Sequence, residues 1–292
     1  MKNRTVYALG FFDGVHLGHQ ALLQACAELA DRLGCCAGAV TFVSHPDALV
    51  HGGAPKLLTT VEDRCALLMG YGMDTVLRLP FDEALKSMHW RDFLVWLQKE
   101  GASGFVCGDD FRFGHGGEGT AALLQAFCRE QDIDCVIVPE QTVDGLRVSS
   151  TRIRELVERG ELEQACRLLG HPHVLTGTVV QGKQLGRTIG IPTANLLLPE
   201  GVVCPAFGVY ACRARVGQKR LLAVTNVGVR PTVDGQGITV EPWLLDFEGD
   251  LYGRQLTLEF CHFLRPERRF GSLQALAEEI RRNGEQTRAL LG

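Results

Sequence analysis

Apolar positions in the first half of the chain fall into short runs separated by helical spacings. VYALGFF (6–12), AGAVTF (37–42), TVLRLPF (75–81), GFVCG (104–108) and DCVIVPE (134–140) are nearly continuous in hydrophobicity and rich in β-branched residues. Such runs predict strands buried on both faces. Between them HQALLQACAELADRL, VEDRCALLMGYG, WRDFLVWLQKE and TAALLQAFCRE carry the period of amphipathic helices. Thr60 before Val61, with Asp63 three residues on, marks one helix start. Strands alternating with helices predict a parallel sheet covered on both faces, whose ligands bind beyond the carboxyl ends of the strands. SSTRIRELVERG and ELEQACRLLG follow as two short helices, each ended by a glycine, Gly160 and Gly170.

After HPH (171–173) the pattern changes. LTGTVVQG, GVYACRARVG, RLLAVTNVG, ITVEPWLLDF and QLTLEFCHF are short strand patterns bounded by turn residues. In the last, Leu256, Leu258 and Phe260 alternate with polar neighbours, a period of two with one face buried. Pro242 is expected to interrupt the ladder of its strand. A small β-barrel or sandwich fits this half. The tail (272–291) sets Leu273, Leu276, Ala277 and Ile280 on one helical face, which is expected to pack on the barrel. Two domains result, 1–170 and 171–292, as the length of 292 residues suggests.

Composition narrows the function classes. The net charge of −4 offers no basic excess to condense on a phosphate backbone, which argues against a nucleic-acid partner. No apolar run reaches the ~18 residues that span a bilayer, and the N-terminus lacks a signal-peptide pattern, so a cytoplasmic protein without a membrane partner is expected. Eleven cysteines, without a CxxC pair, read as apolar residues in a reducing compartment. His171 and His173 flank Pro172 with no partner ligands nearby in sequence, so no zinc site is expected.

Candidate chemistry concentrates where the first strand meets the first helix. GFFDGVHLGHQALL (10–23) places His16 and His19 three apart, with Gly14 and Gly18 among them. A helix N-terminus presents unpaired N–H groups and the positive end of a dipole, a natural anion site. Gly18 lets backbone approach the anion. The imidazoles add donors for phosphate oxygens, though two turn histidines at a helix cap give the same local pattern. GDDFRFGHGGEG adds a glycine-rich loop with Asp109, Asp110 and Arg112 after the fourth strand; VSSTRIR adds Ser149, Ser150, Thr151 and Arg154 at another helix start. GHGGEG (114–119) matches GxGxxG but does not follow a strand directly, so it is no dinucleotide fingerprint, and no P-loop is present. In the second half Thr193 and Asn195 of LGRTIGIPTANL are two apart. On an extended segment both point to one side, hard ligands for Mg²⁺ alongside phosphate oxygens and water; a turn after Pro192 is the alternative. Glu241 offers either a general base for an alcohol or an edge-strand surface carboxylate.

FFDGVHLGH, TFVSHP, GDDFRFG and VSSTRIR resemble, in order and spacing across residues 5–170, the four motifs of the adenylyltransferase module of bacterial bifunctional riboflavin kinase/FAD synthetases. GTVVQGKQLGRTIGIPTANL, GVYACRA, TNVGVRPT, VEPWLLDFEGDLYG and LRPERRF independently resemble the riboflavin kinase module, in the order the family uses. The resemblance implies a Rossmann-like nucleotidylyltransferase domain followed by a six-stranded Greek-key barrel with a C-terminal helix. It implies phosphorylation of riboflavin by ATP to FMN and ADP, then adenylylation of FMN by ATP to FAD and pyrophosphate. In that mapping His16, His19, Gly14, Gly18, Ser150, Thr151 and Arg154 handle ATP phosphates in the first domain, and Asp110 lies near the adenosine. His45, Pro46 and Phe111 shape the flavin side. The loop with Gly182, Lys183, Gly186 and Arg187 covers the kinase nucleotide, Thr193 and Asn195 hold Mg²⁺, and Glu241 is the base. Ile191 stands where the family commonly has Phe, which is expected to weaken flavin stacking. A monomer or weak homo-oligomer is expected. Two rival readings are a nucleotidylyltransferase for another phosphate ester, against which the barrel module argues, and a flavin-binding regulator without turnover, against which the presence of His16, His19, Asn195 and Glu241 argues.

Overall fold

A computed structural model describes residues 4–50, 52–182, 186, 190–232 and 235–292, with backbone alone at 230–232, 235 and 236. The chain divides into two compact units: Met1–Lys56 with Val61–Ser150, and Leu57–Thr60 with Thr151–Gly292.

The first unit is built on five parallel strands, β1 (Thr5–Leu9), β2 (Cys36–Phe42), β3 (Thr75–Leu79), β4 (Ala102–Gly108) and β5 (Asp134–Val138), in the order β3-β2-β1-β4-β5. All five were expected from the apolar runs. Successive β1 side chains alternate between the faces. Val6 and Ala8 join Leu23, Cys26 and Leu29 of α1 (Leu17–Leu33) on one side. Tyr7 and Leu9 meet, on the other, residues of α3 (Trp90–Lys99) and α4 (Ala121–Glu130), among them Leu94 and Phe127. Each fully buried Leu or Phe contributes about 1.5–3 kcal/mol, so both faces act as cores. α2 (Val61–Gly70) starts where the sequence places it. β2 and β4 flank β1 on opposite sides, and the strand order reverses there. A crevice therefore opens between the carboxyl ends of β1 and β4.

Two helices precede the barrel in the second unit, α5 (Ser150–Arg159) and α6 (Leu162–Leu169), closed by Gly160 and Gly170 at φ 77° and 76°. The sequence reading groups them with the first domain. In the structure Thr151 onward counts with the barrel: Leu162 lies in its core and Cys166 Sγ donates to Phe260 O at 3.6 Å. The barrel strands are β6 (His173–Val180), β7 (Asn195–Leu197), β8 (Gly208–Val216), β9 (Lys219–Thr232), β10 (Gly235–Leu244) and β11 (Gln255–Arg265). They close in the order β6-β7-β10-β9-β8-β11, each pair antiparallel. Leu256, Leu258 and Phe260 are fully buried, as their alternation predicts.

Two expectations are corrected. Pro242 does not interrupt β10, which runs on with Pro242 opposite Thr225. Proline lacks a donor but keeps its carbonyl, which accepts from Ala194 N at 2.9 Å. α7 (Leu273–Leu291) packs on the barrel as expected, on β8 and β9, but of the expected apolar face only Ala277 is buried, and Leu273, Leu276 and Ile280 line a cavity. The buried set continues through Glu279, Asn283, Gly284 and Thr287. Gly284 permits this seating, because a Cβ there would lie 2.8 Å from the Trp243 ring.

Candidate active sites

The turn between β1 and α1 is built from unusual backbone. Phe12 and Val15 take φ of 62° and 42°, and Gly14 takes 78°. A β-branched residue in that region is strained, and such strain collects at functional sites. The turn is held from outside. Thr41 Oγ1 donates to Phe11 O at 2.7 Å, and Ser150 Oγ donates to Asp13 O at 2.9 Å. Ser150, expected on a phosphate, anchors the β1–α1 turn.

His16 caps α1. Its Nδ1 accepts the His19 N–H at 3.3 Å, which places the imidazole proton on Nε2. The two rings stack with centroids 3.6 Å apart. Gly18 makes this possible, since a Cβ there would lie 3.1 Å from the His16 ring. Burial first, then His16 and the Arg64 charge, hold His19 well below the ordinary imidazole value, so it is neutral at pH 7. His19 Nδ1 is buried without a hydrogen-bond partner among the described residues.

These residues open onto a cleft of about 210 Å³ at the strand-order reversal. His16, Gly18 and His19 lie on one side; Asp110 and Phe111 lie on the other, brought there by the end of β4. His45 meets the cleft residue Phe11 edge-on at 4.7 Å, and Pro46 starts a short helix, Pro46–Val50. Gly14 supports the turn but does not line the cleft. Thr151 and Arg154 stand on the first turn of α5, in the second unit. Sequence reasoning missed two residues here. Arg147, just before VSSTRIR, bridges Asp110 at 2.6 Å and Glu140 at 3.0 Å on the cleft rim. Arg64, fully buried on α2, sets its guanidinium 4.2 Å from the Phe11 ring centre and donates to Phe42 O at 2.5 Å. Neither carries a glycine or histidine signature that would single it out.

The second unit holds two cavities, of about 300 and 410 Å³, that share Thr193. The first brings together Ile191, Thr193, Asn226, Glu241, Trp243 and Phe270. Glu241 stands opposite Asn226 in register and faces this cavity from an interior strand, so the edge-strand alternative is excluded. The second is bordered by Pro192, Pro242, Phe247 and Tyr252, with Glu248 and Asp250. Asn195 begins β7 with its side chain against Gly182, where a Cβ would fall 2.2 Å from the amide. Gly186 accepts Ile191 N–H at 2.8 Å. Lys183 and Arg187 lie outside the described residues. Asn226, Trp243 and Asn283 on the cavity wall were not singled out by sequence, and Leu273, Leu276 and Ile280 were read only as a packing face.

Comparison with known proteins follows the same division. The FAD synthetase family model matches residues 1–152, and the riboflavin kinase model matches 169–291. The chain belongs to the family of bifunctional riboflavin kinase/FMN adenylyltransferases. It is an enzyme with both activities. The protein of that description from Listeria monocytogenes is 35% identical over 97% of this chain and 91% of its own length. That from Pseudomonas fluorescens is 38% identical over 98% and 92%. The crystal structure of a macrolide-efflux protein from Streptococcus pneumoniae superimposes with a TM-score of 0.86 at 30% identity, covering 99% of this chain and 97% of that one. Among the described residues here, no helix is long and apolar enough to cross a membrane.

Proposed function

We propose that FMN adenylylation takes place in the first unit's cleft and riboflavin phosphorylation at the paired cavities of the barrel. The observation that carries this reading is that His16, Gly18, His19 and Asp110 line the first unit's cleft while Thr193 and Glu241 line the barrel cavities.

In the first unit ATP phosphates lie at the N-terminus of α1. The His16 Nε2–H and neutral His19 donate to phosphate oxygens as charge builds on the leaving pyrophosphate. Gly14 and Gly18 keep the turn and the histidine stack in place. Asp110 faces the adenosine, while His45, Pro46 and Phe111 border the flavin. Ser150 supports the phosphates through the turn it anchors. No protein nucleophile is required: holding the FMN phosphate in line with the α-phosphorus supplies the acceleration.

In the barrel riboflavin occupies the Glu241 cavity and ATP the one beside Phe247 and Tyr252, with the transferred phosphoryl passing Thr193. Glu241 accepts the proton of the 5′-hydroxyl. Ile191 is buried in the flavin wall. Thr193 and Asn195 would hold Mg²⁺, which neutralises phosphate charge. Both donors are neutral oxygens, which suits a cation that arrives with a polyphosphate. The Asn195 amide lies against Gly182, which leaves it room, and Gly182 and Gly186 border the nucleotide in this reading. The same reading makes the enzyme cytoplasmic, a monomer or weak homo-oligomer, without nucleic-acid or membrane partners.

Paired variants test the division. His19→Ala removes a donor to charged oxygens, worth about 1.5–3 kcal/mol, so FAD formation should fall ~10- to 100-fold while FMN accumulates. Glu241→Ala should stop FMN formation while supplied FMN still becomes FAD. A folded variant losing both activities would sink the two-site assignment.

A further inference from the structure

The wall of the Glu241 cavity includes a segment with no strand partner. Pro266–Phe270 leaves the end of β11 as irregular chain, yet Glu267, Arg268 and Phe270 line the cavity. Side chains must therefore fix its position. They converge on one carboxylate, Glu279 of α7, which is 8% exposed. Its Oε2 meets Arg268 Nη2 at 2.6 Å and Arg282 Nη1 at 2.9 Å, and its Oε1 lies 3.4 Å from Arg265 Nε. Arg265 Nε also donates to Asn283 Oδ1 at 3.1 Å. The guanidinium groups of Arg268 and Arg265 lie 4.8 and 5.6 Å from the Phe270 ring centre. At the opposite side of the segment, Asn226 donates to Glu267 Oε1 at 3.2 Å, and Asn226 stands directly across β9–β10 from Glu241.

We propose that Glu279 is a positioning residue for riboflavin. It touches neither substrate nor the reacting hydroxyl. It draws Arg265 and Arg268 together on one carboxylate, and these two cations hold Phe270 in the flavin wall. Three arginines face Glu279, with Glu267 the further anion near Arg265, so positive charge is locally in excess and removing Glu279 both frees the segment and sets like charges against each other. The effect falls on flavin binding, while Thr193, Asn195 and Glu241 keep their places on the barrel. This inference rests on the assignment of that cavity to riboflavin.

The test uses the full chain, with circular dichroism and the thermal unfolding of the barrel as the check that each variant is folded. Glu279→Gln keeps the shape and removes the charge. It should raise the KM for riboflavin about tenfold with kcat and the KM for ATP within about threefold, and Glu279→Asp should recover most of the loss. Leu276→Trp, which fills the same cavity from α7, should also raise the riboflavin KM. If Leu276→Trp raises it and Glu279→Gln leaves it within about twofold, Glu279 has no positioning role and the cavity assignment stands. If neither variant moves it, the cavity is not the riboflavin site and both readings fall. If Glu279→Gln lowers kcat and weakens both substrates together in folded protein, its role is general to the barrel and the inference is overturned.

Discussion

His173 shows how one side chain couples burial to pH. It starts β6, is 1% exposed, and its ring lies 6.1 Å from that of Phe260. Burial, with a smaller contribution from His171, pushes its pKa from 6.5 down to about 4. The folded state binds this proton less tightly than the unfolded chain does. The stability it contributes is therefore present above pH 6.5 and is lost as pH falls towards 4, by up to about 3 kcal/mol. Chemical denaturation of the barrel at pH 7 and pH 4.5 should show that loss, and His173→Phe should flatten the difference; an equal difference in the variant would assign the acid sensitivity elsewhere. At this scale the sequence was informative for residues whose type is rare at their position. Two histidines and two glycines at a strand–helix junction stand out. Arg64 and Arg147 do not, because their roles come from where α2 and the chain before α5 bring them. Nor does Glu279, one of many charged residues on a surface-like helix.

At the scale of elements, apolar runs were enough to place β1–β5 and α1–α4, because each lies between cores and its period is plain. Pro242 misled, since only the structure shows that its own carbonyl accepts the Ala194 N–H and that the missing donor leaves β10 intact. The tail misled for another reason. Its aliphatic face lines a cavity, while Gly284 and Thr287 seat the helix on the barrel. The turn at Gly182 makes a sharp prediction. A methyl there would overlap the Asn195 side chain. Gly182→Ala should therefore lower riboflavin kinase activity by at least tenfold, an ~1.4 kcal/mol effect on the barrier, and leave FMN adenylylation unchanged. Kinase activity within twofold of the parent, measured at saturating Mg²⁺, would show that Asn195 can be displaced without consequence.

For the whole molecule, the FAD synthetase model matches the first half of the chain and the riboflavin kinase model the second, as the two folded units divide. The sequence motifs divided in much the same way, with the helices α5 and α6 and the short stretch Leu57–Thr60 counted with the barrel unit, α6 because it packs on β11 and β6. All eleven cysteines are free thiols, five buried and six half-buried, so no covalent link ties parts of the fold together. The account predicts an order of events as well as their location: FMN made at the barrel is the substrate of the first unit. The most direct measurement incubates the purified chain with riboflavin, ATP and Mg²⁺ and separates the flavins over time. FMN should rise first and FAD should follow at its expense, with ADP and pyrophosphate appearing in step. FAD formed without passage through FMN, or no flavin nucleotide under aerobic or reducing conditions, would contradict the account.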